Sequence, residues 1–319
     1  MPPQQYQQIL RDSRRAQLAG NADAVRRLEA LLARTAANLA REIQMTPRGL
    51  LGERYRRQLL GSLHRVLDGM RDEYKGLLDS GITQAATAAA AREREILAAA
   101  YAGRSQFRAD QALALSSAQG SAAVQFGTVP KVVLNRLYAR VYPDGLHLPE
   151  RLYNLDLEAR RVIGDEVTKA IATGASSRAL AAAIAPHLTA EGVGENPKDN
   201  VRYKAMRIAR TEINVAYREG TVASATNPDG TLKSYISAVG FRLSASHPRI
   251  CICDLYAGQD NGLGAGNYLP EDVPTAPHPH CLCYLVTILA ALPDQQFIAL
   301  APHPNKVPES QLKYYGAIV

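Results

Sequence analysis

The sequence contains no tryptophan and only four phenylalanines and four methionines among 319 residues. Large aromatic rings are the usual filling of a thick β core. Their scarcity, in a chain rich in alanine, favours thin helical packing. No apolar run approaches the roughly 20 residues needed to cross a bilayer. The longest candidate, Tyr284 to Leu292, is strand-sized. The opening Met1-Pro2-Pro3-Gln4-Gln5 carries no charged-then-apolar leader pattern. A cytosolic compartment and no membrane partner are therefore expected. No His-Glu-x-x-His motif occurs, and Gly258, Gly262, Gly264 and Gly266 are too irregularly spaced for a phosphate cradle. Cysteine is scarce as well. The four present are expected as thiols or metal ligands rather than disulfides.

Apolar residues make up 46% of the chain, enough for a real core. The net charge is +7. Arg11, Arg14, Arg15, Arg26, Arg27, Arg34 and Arg41 are interleaved with Asp12, Glu29 and Glu42. This is a solvated surface with an arginine bias, or a face turned to a polyanion, but not a pure basic tail that reads nucleic-acid sequence.

Residues 4–43 read as a helix or a helix pair, with Val25, Leu28, Leu32, Leu39 and Ile43 on one stripe and a break at Gly20-Asn21. A second helix is expected from Leu50 to Ser80, its face made by Leu59, Leu63, Val66, Met70, Tyr74 and Leu77. Gly61, Gly69 and Gly76 in it are read as places of close helix contact. After Gly81 a third helical stretch runs towards Ser117. Residues 118–150 are less regular, and a domain boundary is placed at 125–150. Helices are expected over 150–172, from the Ser176-Ser177 cap to His187, and from Asn200 to Ala225. Beyond the Asn227-Pro228-Asp229-Gly230 turn, Leu232–Leu243 and Tyr284–Leu289 read as short strands. The fold class is thus mainly α with a small α+β C-terminal domain. Residues 1–125 form a helical arm, 126–292 a domain ending in short strands around a Cys/His loop, and 293–319 an extended, proline-bearing tail.

That loop holds every cysteine, in the order His247-x3-Cys251-x-Cys253-x24-His278-x-His280-Cys281-x-Cys283. Two ligand pairs separated by a couple of dozen residues are how a structural zinc site closes a loop, and a structureless loop of this length needs such a reason. In an extended segment, residues i and i+2 face the same way, so Cys281 and Cys283 can point at one centre with Leu282 turned to the core. Three other readings compete: buried free thiols, a disulfide formed outside the cell, and a catalytic metal with an open position held by His247, Asp254 and His278.

The stretch from Leu243 through His247-Pro248 to Cys253-Asp254, with Tyr268-Leu269-Pro270 and Pro277-His278-Pro279-His280-Cys281-Leu282-Cys283, resembles the phage Mu F-like head-morphogenesis family. Ala209-Arg210-Thr211-Glu212, Asn214, Ala216 and Gly220 add a second mark upstream. The resemblance spans roughly residues 150–290. Carried over by position, it makes His247, Cys253, His278, Cys281 and Cys283 the metal-ligand candidates, with zinc in a structural role, and sets Cys251 and His280 apart as departures. Arg210 or Glu212 is expected to hydrogen-bond the backbone of the metal loop. The resemblance implies a minor capsid protein without enzymatic activity, located in the virion at the capsid interior or portal vertex and in host cytoplasm during assembly. Its implied partners are the portal protein and the major capsid protein, with packaged DNA facing the basic helices. Its implied role is in head assembly and DNA packaging or ejection. The rival class is a metal-dependent hydrolase or nuclease using the same loop.

Overall fold

The computed structural model describes residues 3–45, 53–102, 126–189, 200–245, 247, 250–290 and 304–305. Among them are seven helices and three strands. In chain order these are α1 (Pro3–Met45), α2 (Glu53–Ala102), α3 (126–139), α4 (Leu148–Thr173), α5 (Ser177–Leu188), α6 (Val201–Ala225), β1 (Ile236–Arg242), α7 (Ile252–Gly258), β2 (Asn267–Tyr268) and β3 (Tyr284–Leu289). The protein is therefore mainly helical with a small antiparallel sheet near its C-terminus, the class expected from the sequence. No helix among the described residues is long and apolar enough to cross a membrane.

Several elements differ from expectation. α1 runs unbroken through Gly20-Asn21, and α2 runs unbroken through Gly81. A helical glycine costs only about 1 kcal/mol relative to alanine. Burial of Leu78 and Ile82 on either side of Gly81 outweighs that. The buried face of α2 is Leu59, Leu63, Leu67, Met70, Tyr74 and Leu78, while Val66 and Leu77 lie at its border. Among the described residues, a Cβ at Gly61, Gly69 or Gly76 would meet nothing within 4 Å, so none of the three marks a close helix contact there. α3 runs through the stretch that Gly127 and Pro130 mark as irregular.

The caps follow local chemistry. Gly174 ends α4 in the left-handed region at φ 67°. The Ser176 hydroxyl accepts the Ala179 N–H at 3.1 Å to start α5. The Asn200 carboxamide accepts the Tyr203 N–H at 3.2 Å to start α6.

The chain groups into two compact units, and segments of the first 125 residues fall in both. One unit takes 22–81 and 136–210. Its interior is the leucine stripe of α1 and α2, including Leu28, Leu32, Leu39, Leu59, Leu63 and Leu67. Tyr74 donates to the Ala205 carbonyl at 2.6 Å, and Arg160 bridges Asp68 (2.7 Å) and Asp156 (2.9 Å).

The other unit takes 1–21, 82–135 and 211–319 and contains the sheet, ordered β2-β1-β3. β1 pairs antiparallel with β3 through Phe241 opposite Leu285 and Arg242 opposite Tyr284, and with β2 through Val239 opposite Tyr268. Both sheet faces are covered. Ala238, Val286 and Ile288 pack on Tyr6, Ile9, Leu10 and Ile96 of α1 and α2. Val239, Phe241 and Leu285 pack with Val222, Tyr256, Cys253, Cys281 and Cys283 on the opposite side. A strand buried on both faces carries apolar side chains on both, as Leu285, Val286, Ile288 and Leu289 do in β3. One buried polar network crosses the packing. Arg92 donates to Thr221 (2.9 Å) and the Leu285 carbonyl (3.0 Å), and Glu93 accepts from Thr287 (2.7 Å).

Close approach of α6 to α2 rests on Gly220, where a Cβ would lie 2.9 Å from the Ala89 Cβ and 3.1 Å from the Ala86 Cα. Gly220→Ala is expected to cost about 1–3 kcal/mol through overpacking, read as a lower urea midpoint. Gly69→Ala, in open space on a helix, is expected to be neutral or slightly stabilising. Equal effects of the two would contradict this account of Gly220.

Candidate metal centre

The site is built on the second sheet face, where β1 ends and β3 begins. After β1 the chain turns at His247, whose N–H bonds the Ser244 carbonyl at 2.9 Å. The stretch expected to be an unstructured loop then forms α7. Cys251 stands at its N-cap in extended conformation, and Asp254 closes a capping box by accepting the Cys251 N–H at 2.9 Å. Cys253 therefore sits in the first turn, buried. On the far side, Cys281 and Cys283 lead into β3 and are both buried, as their i, i+2 spacing predicts. Leu282 between them is half-buried rather than in the core.

Cys253 is the hub. Its sulfur is 3.5 Å from that of Cys281, and it also contacts the thiols of Cys251 and Cys283. The His278 Nε2 lies 3.5 Å from the Cys251 sulfur and also touches Cys281. The other ring nitrogen of His278 is 2.8 Å from the Pro279 carbonyl. In the neutral ring, a proton on that nitrogen leaves a lone pair on Nε2 directed at the thiols, where a cation can take it. His247 lies at the rim, with Nε2 2.7 Å from Asp254 Oδ2 and Nδ1 3.9 Å from the Cys283 sulfur. Three overlapping ligand groups result, each with atoms within 4.8 Å of one another: Cys253/Cys281/Cys283, Cys251/Cys253/His278 and His247/Cys251/Asp254. These Cys/His clusters are close enough to hold a metal ion.

The five candidate residues His247, Cys253, His278, Cys281 and Cys283 are thus brought together. Cys251, set apart in the sequence, joins them. His280 belongs to none of the three groups. Its backbone takes φ 59°, and its N–H bonds Thr211 Oγ1 at 3.2 Å.

The backbone of the cysteine strand is gripped from two helices. Arg218 on α6, about 1% exposed, donates to the carbonyls of Thr275 (2.5 Å), Cys281 (3.3 Å) and Cys283 (2.8 Å). Arg14 on α1 donates to the Leu282 carbonyl and stacks its guanidinium 4.9 Å from the Tyr284 ring. Thr211 and Arg218 therefore both bond the backbone of the loop, close in sequence to Arg210 and Glu212. Arg210 is exposed and Glu212 is buried. Sequence reasoning missed Arg218 and Arg14. One signal was available, since Thr211 and Arg218 are seven residues apart, two turns along one face of α6.

Crowding shapes the titration of the cluster. Hydrogen bonds with Cys253 and then His278 draw the Cys251 thiol down to about 4. Bonds to Cys251 and Cys281 push His278 up to about 10. Neighbouring thiols, Cys251 first, push Cys253 up, and Cys281 is held down by Cys253 and Cys283. Alternation of this kind means that the thiols do not ionise together unless a cation joins them. Burial raises the Asp254 carboxyl, but the N–H groups of Cys251 and Asn305 and the His247 ring outweigh it and hold the group below its usual range.

Compared with protein families, curated proteins and solved structures, the chain matches none.

Replacing Arg218 with Met removes three bonds to buried carbonyls. The expected loss is about 2–4 kcal/mol in urea unfolding, since hydrogen bonds from a charged group are worth about 1.5–3 kcal/mol each before relaxation. Arg218→Lys should recover only part of it, because a point charge cannot fork to separate acceptors. A wild-type midpoint for Arg218→Met would remove the clamp from this account.

Proposed function

We propose that the chain is a non-enzymatic minor component of a phage head, acting near the portal vertex, whose C-terminal domain is pinned by a structural zinc ion. One observation carries the metal part: overlapping, largely buried groups of nitrogen and sulfur donors that lie within 4.8 Å of one another. Zn–S and Zn–N bonds of about 2.3 and 2.0–2.1 Å in a tetrahedron place sulfurs about 3.8 Å apart and nitrogen about 3.6 Å from sulfur. The 3.5 Å separation of the Cys253 and Cys281 sulfurs is close to the first of those values, and His278 also contacts Cys281. Cys253, His278, Cys281 and Cys283 form the proposed ligand set, with His247 outside it on Asp254. Zinc would supply the positive charge that lets the buried thiols ionise together. It would also join α7 to the strand entering β3, closing the segment between Cys253 and His278.

Asp254 supports a structural rather than a hydrolytic reading. Its carboxylate is 1% exposed, and its oxygens are committed to His247, the Cys251 N–H and Asn305. A general base for a metal-bound water needs a free lone pair aimed at that water.

The head-assembly role rests on the resemblance of residues 243–283 and of the Arg210–Gly220 helix to Mu F-like proteins. Exposed Arg41, Arg54 and Arg57 on α1 and α2 supply positive charge with which the proposed part faces packaged DNA. The portal and major capsid proteins are its proposed partners, the virion its location, and host cytoplasm its place during assembly.

Elemental analysis of purified protein is expected to give about one zinc per chain, and chelation should lower the melting temperature. In cells assembling the particle, the protein should co-purify with portal and procapsids. Zinc-free, unchanged melting would overturn the metal part. Absence from portal and procapsid fractions would overturn the assembly part.

A further inference from the structure

The residues around His247 form a chain of contacts that begins far away in sequence. Asn305 donates its backbone N–H (2.9 Å) and its side-chain amide (3.1 Å) to one oxygen of Asp254. The other Asp254 oxygen is 2.7 Å from His247 Nε2, and His247 Nδ1 faces the Cys283 sulfur at 3.9 Å. The neighbouring Pro304 ring packs over Gly258, at 3.6–3.7 Å from where a Cβ would stand. Asp254 is thus fixed from two sides, by its own helix cap and by a two-residue clip from near the C-terminus.

We infer that Pro304-Asn305 is an outer-shell clip on the metal centre: through Asp254 and His247, Asn305 positions the imidazole against Cys283 and slows loss of the ion. This deepens the zinc reading above and rests on it. The physical reason is orientation. A carboxylate hydrogen-bonded to a ring nitrogen fixes both the tautomer and the plane of that ring. Among the described residues, Asn305 alone bonds Oδ1 of that carboxylate. Without Asn305, Asp254 retains its cap to Cys251 but gains freedom to rotate its Oδ1 side. His247 then loses its fixed plane, and the Cys283 thiolate loses its neighbour. Pro304 and Asn305 are exposed, so their replacement opens no core. Asn305 is accordingly a positioning residue and not a ligand.

The test uses the full-length zinc-loaded protein and a colorimetric zinc chelator in excess. Asn305→Ala is expected to release zinc about tenfold faster or more, within the 10–100-fold range typical of outer-shell changes. Asp254→Asn should be at least as fast, and the double variant no faster than Asp254→Asn alone. Cobalt-substituted Asn305→Ala should keep the thiolate charge-transfer and d–d bands of wild type, because the ligands are unchanged. Truncation before Pro304 provides a second variant, expected to behave as Asn305→Ala. Wild-type release rates in both variants, with zinc fully loaded, would overturn the clip. So would faster release accompanied by an altered cobalt spectrum, which would mean that the ligand set itself had changed. A wild-type protein that holds no zinc fails at the earlier step and overturns the metal reading on which the clip depends.

Discussion

Four thiols gathered within a few ångströms repel one another once ionised, and are costly to bury unless a cation joins them. The organisation of the C-terminal unit answers that constraint. Cys253 is delivered by the first turn of a seven-residue helix, and Cys281 and Cys283 by the extended entry to β3. The strand holds its geometry because Arg218 and Arg14 bind the carbonyls of three consecutive residues, Cys281, Leu282 and Cys283. Those arginines also bring positive charge close to the thiols, on the backbone side. The cluster is therefore part of the packed core beneath the sheet, sharing its contacts with Phe241, Tyr256 and Leu285.

The helices serve the site by position. α6 carries Thr211 and Arg218 on one face, so a single rigid element fixes both the turn at His280 and the strand that follows it. Gly220, two residues beyond Arg218, lets α6 approach α2 closely. The nearby Arg92–Glu93 network then ties α2 to α6 and β3. A change at Gly220 and a change at Arg218 act on the same helix, one through packing and the other through the loop it holds. The expected resemblance to head-morphogenesis proteins singles out Gly220 in the sequence without a reason for it. The close approach to Ala86 and Ala89 supplies one in physical terms.

Parts of this were legible in the sequence because their causes are local. β3 matches the apolar run Tyr284–Leu289, α4 ends at Gly174, and α5 and α6 start at Ser176 and Asn200, where side-chain caps are available. The cysteines and histidines announced themselves by spacing. The rest depends on contacts distant along the chain. α7 is too short for hydrophobic periodicity and is set by a Cys251–Asp254 cap inside what reads as loop. β2 has two residues and exists only because β1 lies beside it. Gly81 reads as a stop but lies between buried Leu78 and Ile82, which the packing holds in helix. Cys251 reads as the odd residue, yet its place at the cap turns its sulfur to His278, while the left-handed backbone of His280 accompanies its absence from the ligand groups. Asn305 lies about fifty residues from the carboxylate it bonds, and no pattern in the chain connects them.

The central claim is a closed nitrogen–sulfur site that leaves no position for a reacting water. X-ray absorption at the zinc edge of the purified full-length protein tests it most directly. The account predicts a first shell of three sulfurs near 2.3 Å and one nitrogen near 2.0–2.1 Å. A shell dominated by oxygen or nitrogen with a coordinated water, or a protein with no zinc to measure, would contradict it.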